Sequence, residues 1–157
     1  HHRNPGALGA ILDFEQITAQ LIADGFHVHP AAMRLLIKAK GFERVCIVSD
    51  AVPTAGLPAG TQIDWEGYQL VTDGETSRLL DGRPGGAAML MNRMLKVLVQ
   101  AGVQFSEAVK MASQVPAAVL GTCKGQLKPG YDADLVILND DYEADMTIIR
   151  GTVVHPA

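Results

Sequence analysis

Four stretches of this chain carry side chains suited to acid–base or ligand chemistry. The first is Ser49-Asp50, which ends the apolar run Val45-Cys46-Ile47-Val48 and leads straight into the Pro/Ala/Gly loop 51–60. A β-branched run without polar alternation reads as a strand buried on both faces. The last side chain of such a strand emerges at the carboxyl edge of a parallel sheet, where barrels and open sheets keep reactive groups. Asp50 is therefore a candidate catalytic acid; the plain alternative is a carboxylate that only caps the following turn. The second is His27-Val28-His29, whose spacing puts two imidazoles on one face of an extended segment, a common beginning of a metal site. The competing reading gives His29, next to Pro30, to a helix start. The other histidines, His1, His2 and His155, supply no obvious third ligand, so no metal ligands are assigned within the chain.

The third is Arg3, which together with His27 is a candidate donor to an anionic substrate group, because guanidinium and imidazolium both hydrogen-bond phosphate oxygens. An Arg near a chain end is as readily just solvated. The fourth is the glycine-rich turn Asp81-Gly82-Arg83-Pro84-Gly85-Gly86, whose backbone N–H groups could approach a ligand at the start of the next helix. It has neither a Lys-Ser/Thr ending nor Gly-x-Gly-x-x-Gly spacing, so no nucleotide loop is indicated. Ser49 lacks the glycines of a nucleophile elbow.

The elements that must position these groups are legible in outline. Ile17 to Ala23 reads as a strand stopped by Asp24-Gly25. Pro30 opens a helix to Lys40 with Met33, Leu36 and Ile37 at helical spacing, Gly41 closes it, and residues 44–49 form the next strand. Strand, helix and strand in about 35 residues make a βαβ unit whose strands run parallel, so His27 and Asp50 belong to one rim. Residues 6–14 form a short helix or turn. From Thr61 to Leu80 the pattern changes to small hairpins at Glu66-Gly67 and Asp73-Gly74. A helix is predicted over 87–101, then helices at 106–114 and 116–120, then strands at 133–138, 146–150 and 153–154.

At 157 residues and 48% apolar content the chain can bury a sizeable core. Seventeen acids against 13 Lys plus Arg, with no basic block, suggest neither a nucleic-acid nor a membrane partner. Two cysteines read as free thiols in a reducing compartment, and no stretch approaches a membrane span or a signal peptide, so the expectation is a soluble, cytoplasmic protein. His1-His2 reads either as a tag remnant or as native residues of a chain whose upstream part is missing.

Taken together these segments resemble the C-terminal half of the N-acetylglucosamine-6-phosphate deacetylases, metal-dependent amidohydrolases. The resemblance rests on His2-Arg3-Asn4-Pro5-Gly6, Asp24-Gly25-Phe26-His27-Val28, Val48-Ser49-Asp50-Ala51 with its loop, and Asp81-Gly82 with the turn after it. The less specific tail, Gly125 to Val136, is similar to the segment with which many amidohydrolases return to a β-sandwich. The resemblance implies an α/β fold: the C-terminal part of a TIM-like (β/α)8 barrel over residues 1–121, with an excursion at about 61–80, followed at 122–157 by strands of a small β-sandwich.

By position, Asp50 matches the family's catalytic Asp, which takes a proton from metal-bound water and returns it to the leaving amine. His27 matches a substrate-binding His and Arg3 a phosphate-side Arg. Asp24, Gly25 and Phe26 lie in the same substrate-lining segment, and Pro84, Gly85 and Gly86 fall where the family has Leu-Ala-Gly followed by Ser. Here Ala87 stands in place of that Ser. The implied cofactor is a divalent metal, zinc or similar, whose Glu and two His ligands precede this segment, so the chain alone is not expected to hydrolyse its substrate at a useful rate. The implied substrate is a small amino-sugar phosphate. Unpaired barrel edges and an open apolar face favour association into a homo-oligomer. Two other readings remain: another amidohydrolase, such as a cyclic-amide hydrolase or deaminase, and a non-catalytic sugar-phosphate-binding fragment.

Overall fold

The computed structural model describes residues 1–155. In chain order its elements are α1 (Gly6–Asp13), β1 (Ala19–Ile22), α2 (Pro30–Lys40), a 3-10 turn (Phe42–Arg44) and β2 (Val45–Val48). Four strands follow: β3 (Gln62–Trp65), β4 (Tyr68–Thr72), β5 (Thr76–Leu79) and β6 (Pro84–Ala87). Three helices come next, α3 (Met91–Gln100), α4 (Phe105–Ala112) and α5 (Gln114–Val119), before β7 (Leu135–Leu138), β8 (Ala144–Ile149) and β9 (Thr152–His155).

The βαβ unit forms as its residues require. β1 and β2 pair in parallel register, Ala19 with Val45 through Ile22 with Val48. Pro30 stands in the first turn of α2, where a missing N–H costs nothing, and Gly41, at φ +74°, ends the helix in a conformation that other residues adopt only with strain. Leu21, Val45 and Ile47 join Met33 of α2, Met94, Leu95 and Leu98 of α3, and Ala108 and Met111 of α4 in one buried cluster. Met33, Met94 and Met111 are thus core packing. The shared register makes the segments after Ile22 and after Val48 leave the same sheet edge.

β3 to β6 form an antiparallel meander. Glu66 and Gly67 both have positive φ, +52° and +82°, the conformation of a tight two-residue hairpin. At the next turn the Asp73 carboxylate accepts from the N–H groups of Glu75 (2.9 Å) and Thr76 (2.6 Å), which holds its pKa below the usual 3.8.

The glycine-rich stretch departs from expectation. Residues 84–87 are a strand paired with β5, and the helix begins at Met91 instead of 87. Pairing decides the matter, because Pro-Gly-Gly has little intrinsic preference for a strand. A Cβ on Gly85 would come within 2.6 Å of Leu70 Cδ2, so a larger residue here would have to displace the buried Leu70 side chain of β4. Ala87, Ala88 and Met89 then enter the core, and Ala87 makes a parallel bridge to Ala51 just beyond β2.

β7, β8 and β9 form a separate three-stranded antiparallel sheet. The second and third tail strands begin earlier than expected, at 144 and 152, and the region expected at 122–157 includes residues 156–157, which lie outside the described residues. Lys124 anchors this region by ion pairs to Asp132 (2.7 Å) and Asp134, and Asp134 also accepts the Arg150 N–H at 2.8 Å. These contacts hold Asp134 below and Lys124 above their usual pKa values. Among the described residues no helix is long and apolar enough to cross a membrane.

Candidate active site

The loop after β1 is organised by Asp24. Its side chain is fully buried, and Oδ1 accepts from the N–H groups of Phe26 (3.0 Å) and His27 (2.9 Å). Oδ2 lies 2.6 Å from His27 Nδ1. Facing a carboxylate, Nδ1 is the donor of that contact, and Nε2 is the outward nitrogen of a ring whose side chain is 18% exposed. Gly25, at φ +78°, supplies the reversal between them. Asp24 thus stands behind His27 and orients it. The sequence signal is an Asx turn, an Asp whose carboxylate meets the N–H groups two and three residues on.

His29 takes the opposite part. Its Nδ1 accepts from Ala31 N at 3.2 Å as the cap of α2, so it serves the helix start. Among the described residues no three His, Cys, Asp or Glu side chains come together as a metal site. The residues present therefore do not fit a complete metal centre.

Asp50 follows β2 at the same edge. Its φ is +50°, a left-handed conformation that Asp tolerates better than most residues. Its carbonyl accepts from Ala87 N at 3.0 Å, and Val52 N donates to Ala87 O at 3.1 Å. The turn is capped by Ser49, whose Oγ accepts from Ala51 N at 3.4 Å. Among the described residues the Asp50 carboxylate makes no hydrogen bond, and the residue is exposed. A fixed backbone carrying an uncommitted carboxylate at a sheet edge suits proton transfer.

Gly86 makes this bridge possible. At φ +111° it passes so close to the Asp50 loop that a Cβ would lie 2.4 Å from Val52 Cγ1 and 3.2 Å from the Asp50 carbonyl oxygen. Pro84, Gly85 and Gly86 therefore reach the site as a strand that braces the Asp50 loop. Arg3 is exposed near the start of the chain, and among the described residues its guanidinium pairs with nothing.

One neighbour of this rim carries no sequence signal. Arg78 of β5 places its guanidinium carbon 4.4 Å from the centroid of the Phe26 ring, and Phe26 meets the His27 ring edge to face at 5.2 Å. Tertiary contact across the excursion makes that pairing.

A cleft of about 620 Å³ lies elsewhere, lined by Gln16, Thr18, Phe42, Arg44, Lys110 and Gln114 among others. It opens at the amino edge of β1 and β2, away from the oriented imidazole and the free carboxylate. Volume there does not outweigh chemistry at the carboxyl edge, where α/β folds present their loops to ligands. Cys46 is buried in β2, which pushes its thiol pKa up, and Cys123 is an exposed free thiol.

The Amidohydrolase family matches residues 5–154. The chain is 33% identical over 156 residues to the N-acetylglucosamine-6-phosphate deacetylase of Bacillus subtilis (strain 168), covering 98% of itself and 39% of that relative. It is 36% identical over 154 residues to a putative N-acetylgalactosamine-6-phosphate deacetylase of Escherichia coli (strain K12), covering 96% of itself and 91% of that shorter protein. Among solved structures, the Mycobacterium smegmatis N-acetyl-D-glucosamine-6-phosphate deacetylase mutant, in complex with N-acetyl-D-glucosamine-6-phosphate, superposes with a TM-score of 0.90 at 25% identity. That match covers 99% of this chain and 42% of the other. Apart from the short Escherichia coli protein, the chain spans about two fifths of the length of these relatives. The chain belongs to the amidohydrolase family.

Proposed function

We propose that this chain is the C-terminal part of an enzyme that hydrolyses the acetamide of N-acetylglucosamine 6-phosphate to acetate and glucosamine 6-phosphate, in amino-sugar breakdown in the cytoplasm. The observation that carries the reading is the shared edge of β1 and β2, where His27 is held by Asp24 and Asp50 presents a free carboxylate. In this reading residues 1–121 are the last part of a TIM-like barrel, with the β3–β6 meander as its excursion, and residues 122–157 belong to a small β-sandwich. β1, β2 and the bridge from Ala51 to Ala87 supply successive parallel segments of the barrel wall.

The chemistry assigned to this chain is proton handling and substrate orientation. Asp50 takes the proton of the attacking water and returns it to the departing amine, the two halves of general acid–base catalysis by one group. His27 Nε2 donates to a phosphate oxygen of the substrate, and Arg3 serves the same anionic end. A divalent metal, zinc or similar, belongs to the complete enzyme, with its ligands on the upstream polypeptide. The complete enzyme is a homo-oligomer.

A second reading concerns the sugar. The Escherichia coli relative, at 36% identity, carries an N-acetylgalactosamine-6-phosphate name, which favours the epimer as a substrate of comparable standing. Acetate release from both 6-phosphates, measured on the polypeptide completed by the upstream half that the longer relatives carry, tests both. A preference for either 6-phosphate over the unphosphorylated sugar supports a sugar-phosphate deacetylase. Equal rates with and without phosphate, or release of ammonia instead of acetate, would point to another amidohydrolase activity.

A further inference from the structure

The Arg78 guanidinium stands over the Phe26 ring with its carbon 4.4 Å from the centroid, and among the described residues it forms no ion pair. Its one hydrogen bond there is from Nη1 to the Gly82 carbonyl oxygen at 3.4 Å, which leaves most of its five N–H donors free. Phe26 directly precedes His27, and the two rings meet at 5.2 Å, so the cation and the oriented imidazole flank a single aromatic side chain. Arg78 is half-buried. An aromatic face under a guanidinium fixes its plane while leaving its edge open for a bidentate acceptor. β5 is tied through β6 to the Asp50 loop, because Ser77 pairs with Gly86 and Ala87 bridges Ala51. The cation therefore belongs to the same framework as the proposed acid.

We propose that Arg78 is a specificity-determining residue that, with His27, binds the phosphate group of the substrate. The assignment rests on the sugar-phosphate reading of the same site. Phe26 and His27 of the β1 loop and Arg78 of β5 lie far apart in sequence, and the return of the hairpin sheet over that loop brings them together.

The test compares wild type with Arg78→Gln and Arg78→Lys in the polypeptide completed by its upstream half, using the 6-phosphorylated and the unphosphorylated acetamido sugar. For Arg78→Gln the expected result is a KM for the phosphorylated substrate raised about tenfold or more, the size of one charge-assisted contact, with kcat little changed. The unphosphorylated sugar should be affected less than about twofold. Arg78→Lys should recover part of the loss, since a point charge remains but the planar fork does not. Equal losses with both substrates would overturn the proposal and make Arg78 a packing partner of Phe26; no loss with either would overturn it as well. Calorimetry with glucosamine 6-phosphate and glucosamine separates this outcome from failure of the reaction assignment. If wild type releases no acetate, the deacetylase reading fails. The Arg78 assignment then stands on selectively weakened glucosamine 6-phosphate binding in Arg78→Gln, and falls if wild type does not bind it or if both proteins bind it alike.

Discussion

The loops after β1 and β2 leave one sheet edge and are built in opposite ways. In the first, a buried Asp24 carboxylate engages two backbone N–H groups and the His27 ring, so the side chain at the rim is locked. In the second, the backbone is locked, by the bridge to Ala87 and the close pass of Gly86, while the Asp50 carboxylate is left uncommitted. A group that must recognise a ligand gains from a fixed orientation. A group that must accept and return a proton gains from having no competing partner.

The sharpest way to break this contrast is Asp50→Asn in the completed enzyme. Turnover should fall by about 10²- to 10⁴-fold, the usual worth of a positioned acid–base group. Glucosamine 6-phosphate binding and metal content should survive. Turnover at the wild-type level would remove Asp50 from the reaction.

Gly86→Ala attacks the locked backbone instead. The new Cβ would meet Val52 and the Asp50 carbonyl in a conformation disfavoured for alanine, at a cost of about 1–3 kcal/mol. A lowered urea midpoint with an unchanged m-value is the expected result; a midpoint equal to wild type would mean that the Asp50 loop is not braced by β6.

Asp24→Asn loosens the locked side chain. It replaces a charged acceptor at His27 Nδ1 by a neutral amide, and sugar-phosphate affinity should weaken about tenfold, with kcat changed far less. A variant that loses kcat and keeps its affinity would reverse the division of labour between the two loops.

The smallest effect lies away from the rim, in the exposed β7–β9 sheet. Because Asp134 is held below its usual pKa of 3.8, chiefly by Lys124 and then by the Arg150 N–H, its contribution is present above that value and disappears as pH falls through the folded-state pKa. Because Lys124 is held above its usual 10.5, its contribution is present below 10.5 and disappears as pH rises through the folded-state value. The Tm difference between wild type and Lys124→Met should therefore be small at neutral pH, as for any exposed pair, and vanish in strong acid. A difference that persists there would come from packing of the Lys stem.

The βαβ unit was legible because its signals are local: an apolar run, Pro30 at a helix start, Gly41 at its end. Parallel pairing then follows from connection length, and with it the common rim of His27 and Asp50. β6 was not legible, because Pro84-Gly85-Gly86 carries the chemistry of a turn and becomes a strand only through β5 and the contact with Val52. Asp24 lies in the segment that the resemblance marks as substrate-lining, but its burial behind His27 is a tertiary fact. The place of Arg78 is beyond local reading too, since no periodicity predicts which hairpin residue returns over Phe26.

The most direct test of the central claim is a crystal structure of the completed protein with glucosamine 6-phosphate. The sugar phosphate should lie across the carboxyl edge of β1 and β2, with a phosphate oxygen about 3 Å from His27 Nε2 and the amine within hydrogen-bond reach of Asp50. A ligand seated in the cleft at the opposite edge, against Phe42, Arg44 and Lys110, would contradict it.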